Sequence, residues 1–150
     1  LQEVFPDAVF VATYRDPVST LTSSCSLFSA WYQAYSDTNF DRILGQVMLE
    51  GQAIRTGLQM QARRERPDIA VLDIPYPDLT RSSEQVVKNI YAHYGLPLSD
   101  RALAAMRTWE NHNAQHKHGA HKYTLEQFGL TRELAQEKYR DYSAQFGHLF

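Results

Sequence analysis

Arg15 is the residue best placed in this sequence to do chemistry. It follows the apolar, β-prone run Val9, Phe10, Val11 and Ala12, and it precedes Asp16, Pro17 and five hydroxyl side chains, Ser19, Thr20, Thr22, Ser23 and Ser24. Asp16 suits the N-cap of a helix and Pro17 its first position, with Leu21, Cys25, Phe28, Tyr32 and Tyr35 continuing at helical spacing. A helix start presents unpaired N–H groups and the positive end of the backbone dipole, and a guanidinium beside it adds a fixed charge of bidentate geometry. That combination holds a phosphate. The same parts also make an ordinary helix start whose arginine pairs with a surface carboxylate, because strand, turn and capped helix recur throughout α/β proteins.

Two further places carry side chains of chemical interest. Tyr76 lies in the turn IPYPDL, stiffened by Pro75 and Pro77, where a tyrosine either borders a ligand or packs on a sheet edge. The stretch ENHNAQHKHGAHKY holds four histidines, of which His112 and His116 are one helical turn apart. A metal site is poorly supported there, since no cysteine joins the histidines and carboxylates are few. The bland alternative is a solvated loop.

Three segments together resemble one family. FPDAVFVATYRDPVSTLTSSCSL is similar to the 3′-phosphate-binding segment of sulfotransferases that use 3′-phosphoadenosine 5′-phosphosulfate (PAPS), in which an arginine ends a strand and a serine follows eight residues later, here Arg15 and Ser23. VLDIPYPDLTRSSEQVVKNIYAHYGLPLS resembles that family's second strand, tyrosine-bearing turn and following helix. KHGAHKYTLEQFGLTRELAQEKYRDYSAQFG resembles the C-terminal cofactor loop and closing helix of its bacterial-type branch. The resemblance covers nearly the whole chain in the family's order. It implies that Arg15 and Ser23 hold the 3′-phosphate and that Tyr76 borders the adenine. It also implies a loop over the nucleotide in which Lys117, Gly119, His121 and Lys122 contact the phosphate and adenosine, glycine letting backbone amides come close. PAPS is then the co-substrate, and no metal is required. The chain departs from the pattern at Ser82-Ser83, where many relatives have Asp-Pro, and at His118 and Ala120, where Arg or Lys is frequent.

One expected element of the family is not found. Its 5′-phosphosulfate is bound by a P-loop-like strand, Gly-rich turn and helix, whereas the seven glycines here are scattered and no Gly, Lys, Ser/Thr cluster occurs. The family's catalytic base, a histidine or glutamate, also lies upstream, so no residue of this chain is assigned that role. The expectation is therefore that residues 1–150 form the C-terminal part of a single sulfotransferase domain, inactive alone. Its fold class would be α/β, a helix-rich part of a P-loop NTPase-like three-layer α/β/α architecture with a parallel sheet. The intact enzyme would transfer a sulfuryl group to a hydroxyl or amine acceptor whose identity is not readable. Two other classes stay open. A P-loop kinase-like nucleotide enzyme would show a complete Gly-x-x-x-x-Gly-Lys-Ser/Thr motif upstream, and a non-catalytic binding or assembly module would self-associate through an uncovered sheet edge. A homodimer stays open on either reading.

Composition sets the remaining bounds. With 150 residues, 43% hydrophobic and 21% charged, the chain has ordinary globular composition, and a net charge of -2 argues against a nucleic-acid partner. Cys25 is alone, which excludes an internal disulfide and suits a small core residue. No apolar run approaches the roughly eighteen residues of a membrane span and no signal peptide is visible, although a preceding segment could carry either; the compartment is thus unread, with the cytoplasm the first expectation.

The elements that must position these residues follow from pattern. Strands buried on both faces are expected around residues 8–14 and 69–74, joined by helices in a right-handed crossover that brings Arg15 and Asp73 to one sheet edge. Asp37 and Thr38 suit the cap of a helix reaching Arg66, with Phe40, Ile43, Leu44, Val47, Ile54 and Leu58 on its inner face. Ser82 and Gln85 suit a capping box, and Gly95 a helix end, for a helix turning Val86, Val87, Ile90, Tyr91 and Tyr94 inward. Ser99 begins another helix, to Trp109. After a short turn at Thr124 to Gln127, Thr131 begins a last helix whose face of Leu134, Ala135, Lys138, Tyr142 and Phe146 needs a sheet to cover.

Overall fold

Strand β1, Phe10–Tyr14, pairs in parallel with β2, Val71–Pro75, and the register runs from Phe10 opposite Val71 to Tyr14 opposite Pro75. The computed structural model describes residues 3–113 and 123–150. Between the strands lie helices α1, Pro17–Gln33, and α2, Asp41–Glu65. After β2 come α3, Tyr76–Arg81, α4, Ser83–His93, and α5, Asp100–His112. A 3₁₀ turn at Glu126–Phe128, α6, Arg132–Lys138, and α7, Arg140–Phe146, follow, with a last 3₁₀ turn at Gly147–Leu149. These residues fall into two compact units, 3–14 with 70–113 and Leu149 in the first, and 15–69 with 123–148 and Phe150 in the second.

In the first unit the strands carry few buried side chains beyond Tyr14 and Ile74. The expectation of strands buried on both faces is corrected: Val9 and Val11 are exposed, because only two strands pair among the described residues and a parallel pair needs cover on both faces. The strand beginnings are tied by α4, whose Tyr94 hydroxyl donates to the Phe10 carbonyl at 2.5 Å and accepts from the Leu72 amide at 3.3 Å. Val86 of α4 is buried. Gly95, at φ +63°, ends α4 as expected, since the left-handed conformation lets the Leu96 amide reach back to the Tyr91 carbonyl at 2.8 Å. The capping box does not form: Ser82 makes no side-chain cap bond, and Gln85 donates to Asn89 at 2.9 Å. Ser99 does cap α5, accepting from the Ala102 amide at 3.2 Å.

The second unit is built around a helical core. Val18, Leu21 and Cys25 of α1, Leu49 of α2, Leu125, Phe128 and Leu130 of the 3₁₀ segment, Ala135 of α6 and Tyr139 form one buried cluster. The inward face of α2 differs from the expected one. Leu44, Gly45, Leu49 and Gln52 are buried, whereas Ile43, Val47, Ile54 and Leu58 are exposed. Gly45 explains the choice, since a Cβ there would run into the Phe128 carbonyl oxygen; the bare backbone is what admits the 3₁₀ segment. The start of α2 also lies later than expected, with Asn39 accepting from the Asp41 amide at 2.8 Å in place of a cap from Asp37 or Thr38. Asp41 is buried and receives the Ser29 hydroxyl at 2.6 Å, while Gln52 donates to the Pro17 carbonyl at 2.9 Å.

The last expected helix is two. α6 begins at the Thr131 cap, which accepts from the Leu134 amide at 3.2 Å, and the chain breaks at Tyr139 before α7. Ala135, Tyr139, Tyr142 and Phe146 point inward, while Leu134 is exposed. What α6 and Tyr139 cover is helical, not a sheet, because their buried neighbours come from α1, α2 and the 3₁₀ segment. Burial pushes the Tyr139 hydroxyl above the usual phenol range. The Cys25 thiol is pushed up to about 11, first by burial and then by Asp41, so at neutral pH it is a packed apolar group.

Candidate phosphate-binding site

The junction from β1 to α1 follows the expected plan but distributes its donors differently. Asp16 caps α1 with both carboxylate oxygens: Oδ1 accepts from the Val18 amide at 3.2 Å, and Oδ2 from the Ser19 amide at 3.1 Å and the Ser19 hydroxyl at 2.6 Å. A helix end so capped has its Val18 and Ser19 amides already bonded to a carboxylate. The expected Asp16 cap is thus present. Thr20 and Thr22 turn back onto the helix, donating to the Asp16 carbonyl at 2.9 Å and the Val18 carbonyl at 2.8 Å.

Arg15, Ser23 and Ser24 are the polar residues of this segment whose side chains are not turned back onto the start of α1. Arg15 is exposed at the residue before the cap. Ser23 is half-buried on α1, one turn beyond Ser19 on the same face, and its hydroxyl has no hydrogen-bond partner among the described residues. The opposite face of α1, through Leu21 and Cys25, is sunk in the helical core, which fixes the helix that carries Ser23.

Tyr76 is half-buried and opens α3, so the expected turn is a short helix. Its carbonyl accepts from Thr80 at 3.2 Å, and Arg81 closes the turn by donating to the Pro77 carbonyl at 3.1 Å and pairing with Asp78 at 3.2 Å. Asp73 stands opposite Ala12 in the register. A cavity of about 140 Å³ in the first unit is lined by Asp73, Ile74, Pro75, Asp78, Val86 and Asn89 among others, and Tyr76 is not part of its wall. Lys117, Gly119, His121 and Lys122 lie outside the described residues, as do His116 and His118. His112 has Nδ1 at 2.7 Å from the Thr108 carbonyl, which places a proton on that nitrogen. Among the described residues no group of three or more His, Cys, Asp or Glu side chains is arranged to hold a metal ion, and no helix is long and apolar enough to cross a membrane.

Sequence reasoning missed the clamp between α4 and α5. Glu84 receives Arg107 through two bonds, at 2.5 and 2.6 Å, and pairs with Lys88 at 2.6 Å, while Ser83 donates to Glu110 at 2.6 Å. These bonds, led by Arg107, hold the Glu84 carboxyl down to about 2. Glu84 and Lys88 are four residues apart on one helix, but Arg107 and Glu110 stand too far from their partners in sequence for any local spacing to reveal them. Beside the clamp lies a largely apolar hollow of about 210 Å³, bordered by Val87, Met106 and Trp109.

Comparison with known proteins adds an independent line. A model of the family described as Sulfotransferase family matches residues 1–100, a stretch that contains Arg15, Ser23 and Tyr76. The chain is 26% identical over 140 residues to omega-hydroxy-beta-dihydromenaquinone-9 sulfotransferase Stf3 of Mycobacterium bovis, covering 89% of this chain and 34% of that protein. The Mycobacterium tuberculosis protein of the same name matches with the same figures, 26% over 140 residues. The crystal structure of sulfotransferase STF9 from Mycobacterium avium superposes with a TM-score of 0.82 at 26% identity, over 97% of this chain and 38% of that one. The chain thus spans about a third of the length of the curated relatives it matches.

Proposed function

Because the chain belongs to the sulfotransferase family, we propose that it forms the 3′-phosphate- and adenosine-binding part of an enzyme that moves a sulfuryl group from PAPS to a hydroxyl or amine of an acceptor. The observation that carries this reading is the pair Arg15 and Ser23: an exposed guanidinium at the end of β1, and a half-buried hydroxyl with no hydrogen-bond partner among the described residues. A 3′-phosphate fits them in charge and in donors.

The roles of the residues follow. The Arg15 guanidinium gives a planar, bidentate grip on the 3′-phosphate and separates such nucleotides from ATP-like ones. The Ser23 hydroxyl donates a second bond. Tyr76 borders the adenine, and Lys117, Gly119 and His121 close on phosphate and adenosine. Holding the donor by the end remote from its sulfur restricts its orientation, so that binding energy far from the reacting centre lowers the barrier for in-line transfer. The base that takes the acceptor's proton, and the groups that hold the 5′-phosphosulfate, belong to a region preceding these residues in a P-loop NTPase-like three-layer α/β/α domain of which this chain is the C-terminal part. Of the two acceptor types, a hydroxyl is the one for which the mycobacterial relatives are named, as omega-hydroxy-beta-dihydromenaquinone-9 sulfotransferases.

The test is calorimetric titration of 3′-phosphoadenosine 5′-phosphate into the natural polypeptide that carries this chain, and into its Arg15→Ala variant, with ATP as control. Tight binding that weakens by about 2 to 5 kcal/mol in the variant, with ATP much weaker throughout, is the expected result. Equal binding by the two proteins, or preference for ATP, overturns the assignment.

A further inference from the structure

On the inward face of α2, in line with Leu44, Gly45 and Leu49, stands an amide: Gln52, at 8% exposure. A leucine or methionine would pack there without needing a partner, because a buried amide costs free energy unless its groups are bonded. Gln52 Nε2 donates to the Pro17 carbonyl at 2.9 Å, across 35 residues of chain. Pro17 is the first residue of α1 and is fully buried. Its carbonyl oxygen carries two lone pairs, so it can take this bond from outside the helix beside one from the helix's own ladder. Arg15 lies two residues before it.

We infer that Gln52 is a positioning residue for Arg15: by holding the Pro17 carbonyl from α2, it fixes the backbone from which the guanidinium projects. The inference rests on the phosphate-binding role proposed for Arg15. Arg15, Pro17 and Gln52 belong to one compact unit. Proline has no N–H through which the chain could be tied at that point, and the Asp16 carboxylate bonds stay within α1, on the Val18 and Ser19 amides. Those bonds shape the start of the helix. A bond from a second element is what places that turn against the rest of the unit, and Gln52 supplies one.

The far end of α1 provides a comparison within the molecule. There the Ser29 hydroxyl donates to the buried Asp41 carboxylate at 2.6 Å, so α1 is tied to α2 by a buried polar bond at each end. Leu21 and Cys25 of α1 and Leu49 of α2 pack in the same core between those bonds. Apolar packing is non-directional and tolerates small slides along a helix axis, whereas a hydrogen bond weakens steeply once its geometry is lost. The two polar bonds therefore set the axial register of α1 on α2. Both contribute to stability, but the one at Gln52 alone stands at the end that carries Arg15.

Calorimetric titration of 3′-phosphoadenosine 5′-phosphate into the natural polypeptide separates positioning from a merely structural role. Gln52→Met keeps the volume and removes the donor, and is expected to weaken binding at least fivefold at a temperature well below its unfolding midpoint. Ser29→Ala, which breaks the tie at the other end, is expected to stay within twofold. In an Arg15→Lys background, where a point charge on a flexible stem replaces the planar fork, Gln52→Met is expected to cost less than a further twofold. Gln52→Asn, too short to reach Pro17, takes the place of the methionine variant if that one does not fold. A Gln52 variant within twofold of the unaltered protein overturns the inference. So does an equal loss from Ser29→Ala, or a fivefold loss repeated in the lysine background. Binding that depends on Arg15 and not on Gln52 overturns this inference alone; if the unaltered protein does not bind the nucleotide, or binds it without regard to Arg15, the phosphate assignment falls and this inference with it.

Discussion

After β1 the chain enters α1 through an aspartate that bonds two backbone amides, and seventeen residues of helix follow with Leu21 and Cys25 fully buried. After β2, whose last residue Pro75 is paired with Tyr14, it enters α3 with no side-chain cap, and six residues of helix follow, none of them buried. Both junctions begin at matched strand ends, so the sheet does not distinguish them. What differs is the material beyond it: α1 inserts into a helical core, while α3 is held by local bonds from Thr80 and Arg81. The residue proposed to grip a phosphate, Arg15, precedes the anchored junction. Tyr76, proposed to border a flat adenine, opens the loosely held one. A charged contact worth several kcal/mol gains most from rigid placement, whereas an aromatic surface tolerates adjustment.

The contrast can be broken most directly by truncation. Leu21→Ala empties a fully buried site and is expected to cost about 2 to 5 kcal/mol in urea denaturation, whereas Leu79→Ala, in half-buried α3, costs less than about 1 kcal/mol. Equal losses would mean that α3 is anchored as firmly as α1. The caps sharpen the same point at a smaller scale: Asp16→Ala removes two amide bonds and is expected to cost about 1 kcal/mol, while Ser82→Ala, which loses no cap bond, leaves the denaturation midpoint unchanged. The smallest effect is electrostatic. Glu84, held at about 2 by Arg107 and Lys88, keeps the α4–α5 clamp charged well below the ordinary carboxylate value of 4.5. Its pKa is depressed on folding, so its contribution is complete above 4.5 and fades as the pH falls towards 2. A carboxyl carbon NMR titration should find that midpoint and see it rise in high salt, since the pair is exposed; a midpoint near 4.5 at low salt would remove the clamp from the account.

Much of the local structure was legible before any coordinates. Both strands, the caps at Asp16, Ser99 and Thr131, and the helix end at Gly95 are places where one residue type satisfies a backbone need a few positions away, and such needs are printed in the sequence. Arg15 stood out by its place at a strand end and Ser23 by the resemblance to the sulfotransferase segment, and their role toward a phosphate is a proposal. The inner face of α2 was not, because both stripes of that helix satisfy helical periodicity, and only the bare backbone of Gly45 meeting Phe128 selects between them. The break at Tyr139 escaped notice likewise. Its ring is buried among α1, α2 and the 3₁₀ segment, with the hydroxyl 3.4 Å from the Leu49 carbonyl, a partner ninety residues away.

The sequence by itself thus determined which residue types stand next to one another along the chain: an arginine at a strand end, a serine two turns into the helix beyond it, and apolar residues at helical spacing along α2. Tertiary structure alone decided how those groups are used. It packed Tyr139 among α1, α2 and the 3₁₀ segment, and it turned one apolar face of α2 inward and the other out. The physical reason is range. Caps and periodicity act over a few residues, within reach of the backbone's own hydrogen bonds, while burial depends on which surfaces meet, and those surfaces are brought together from positions far apart in the chain.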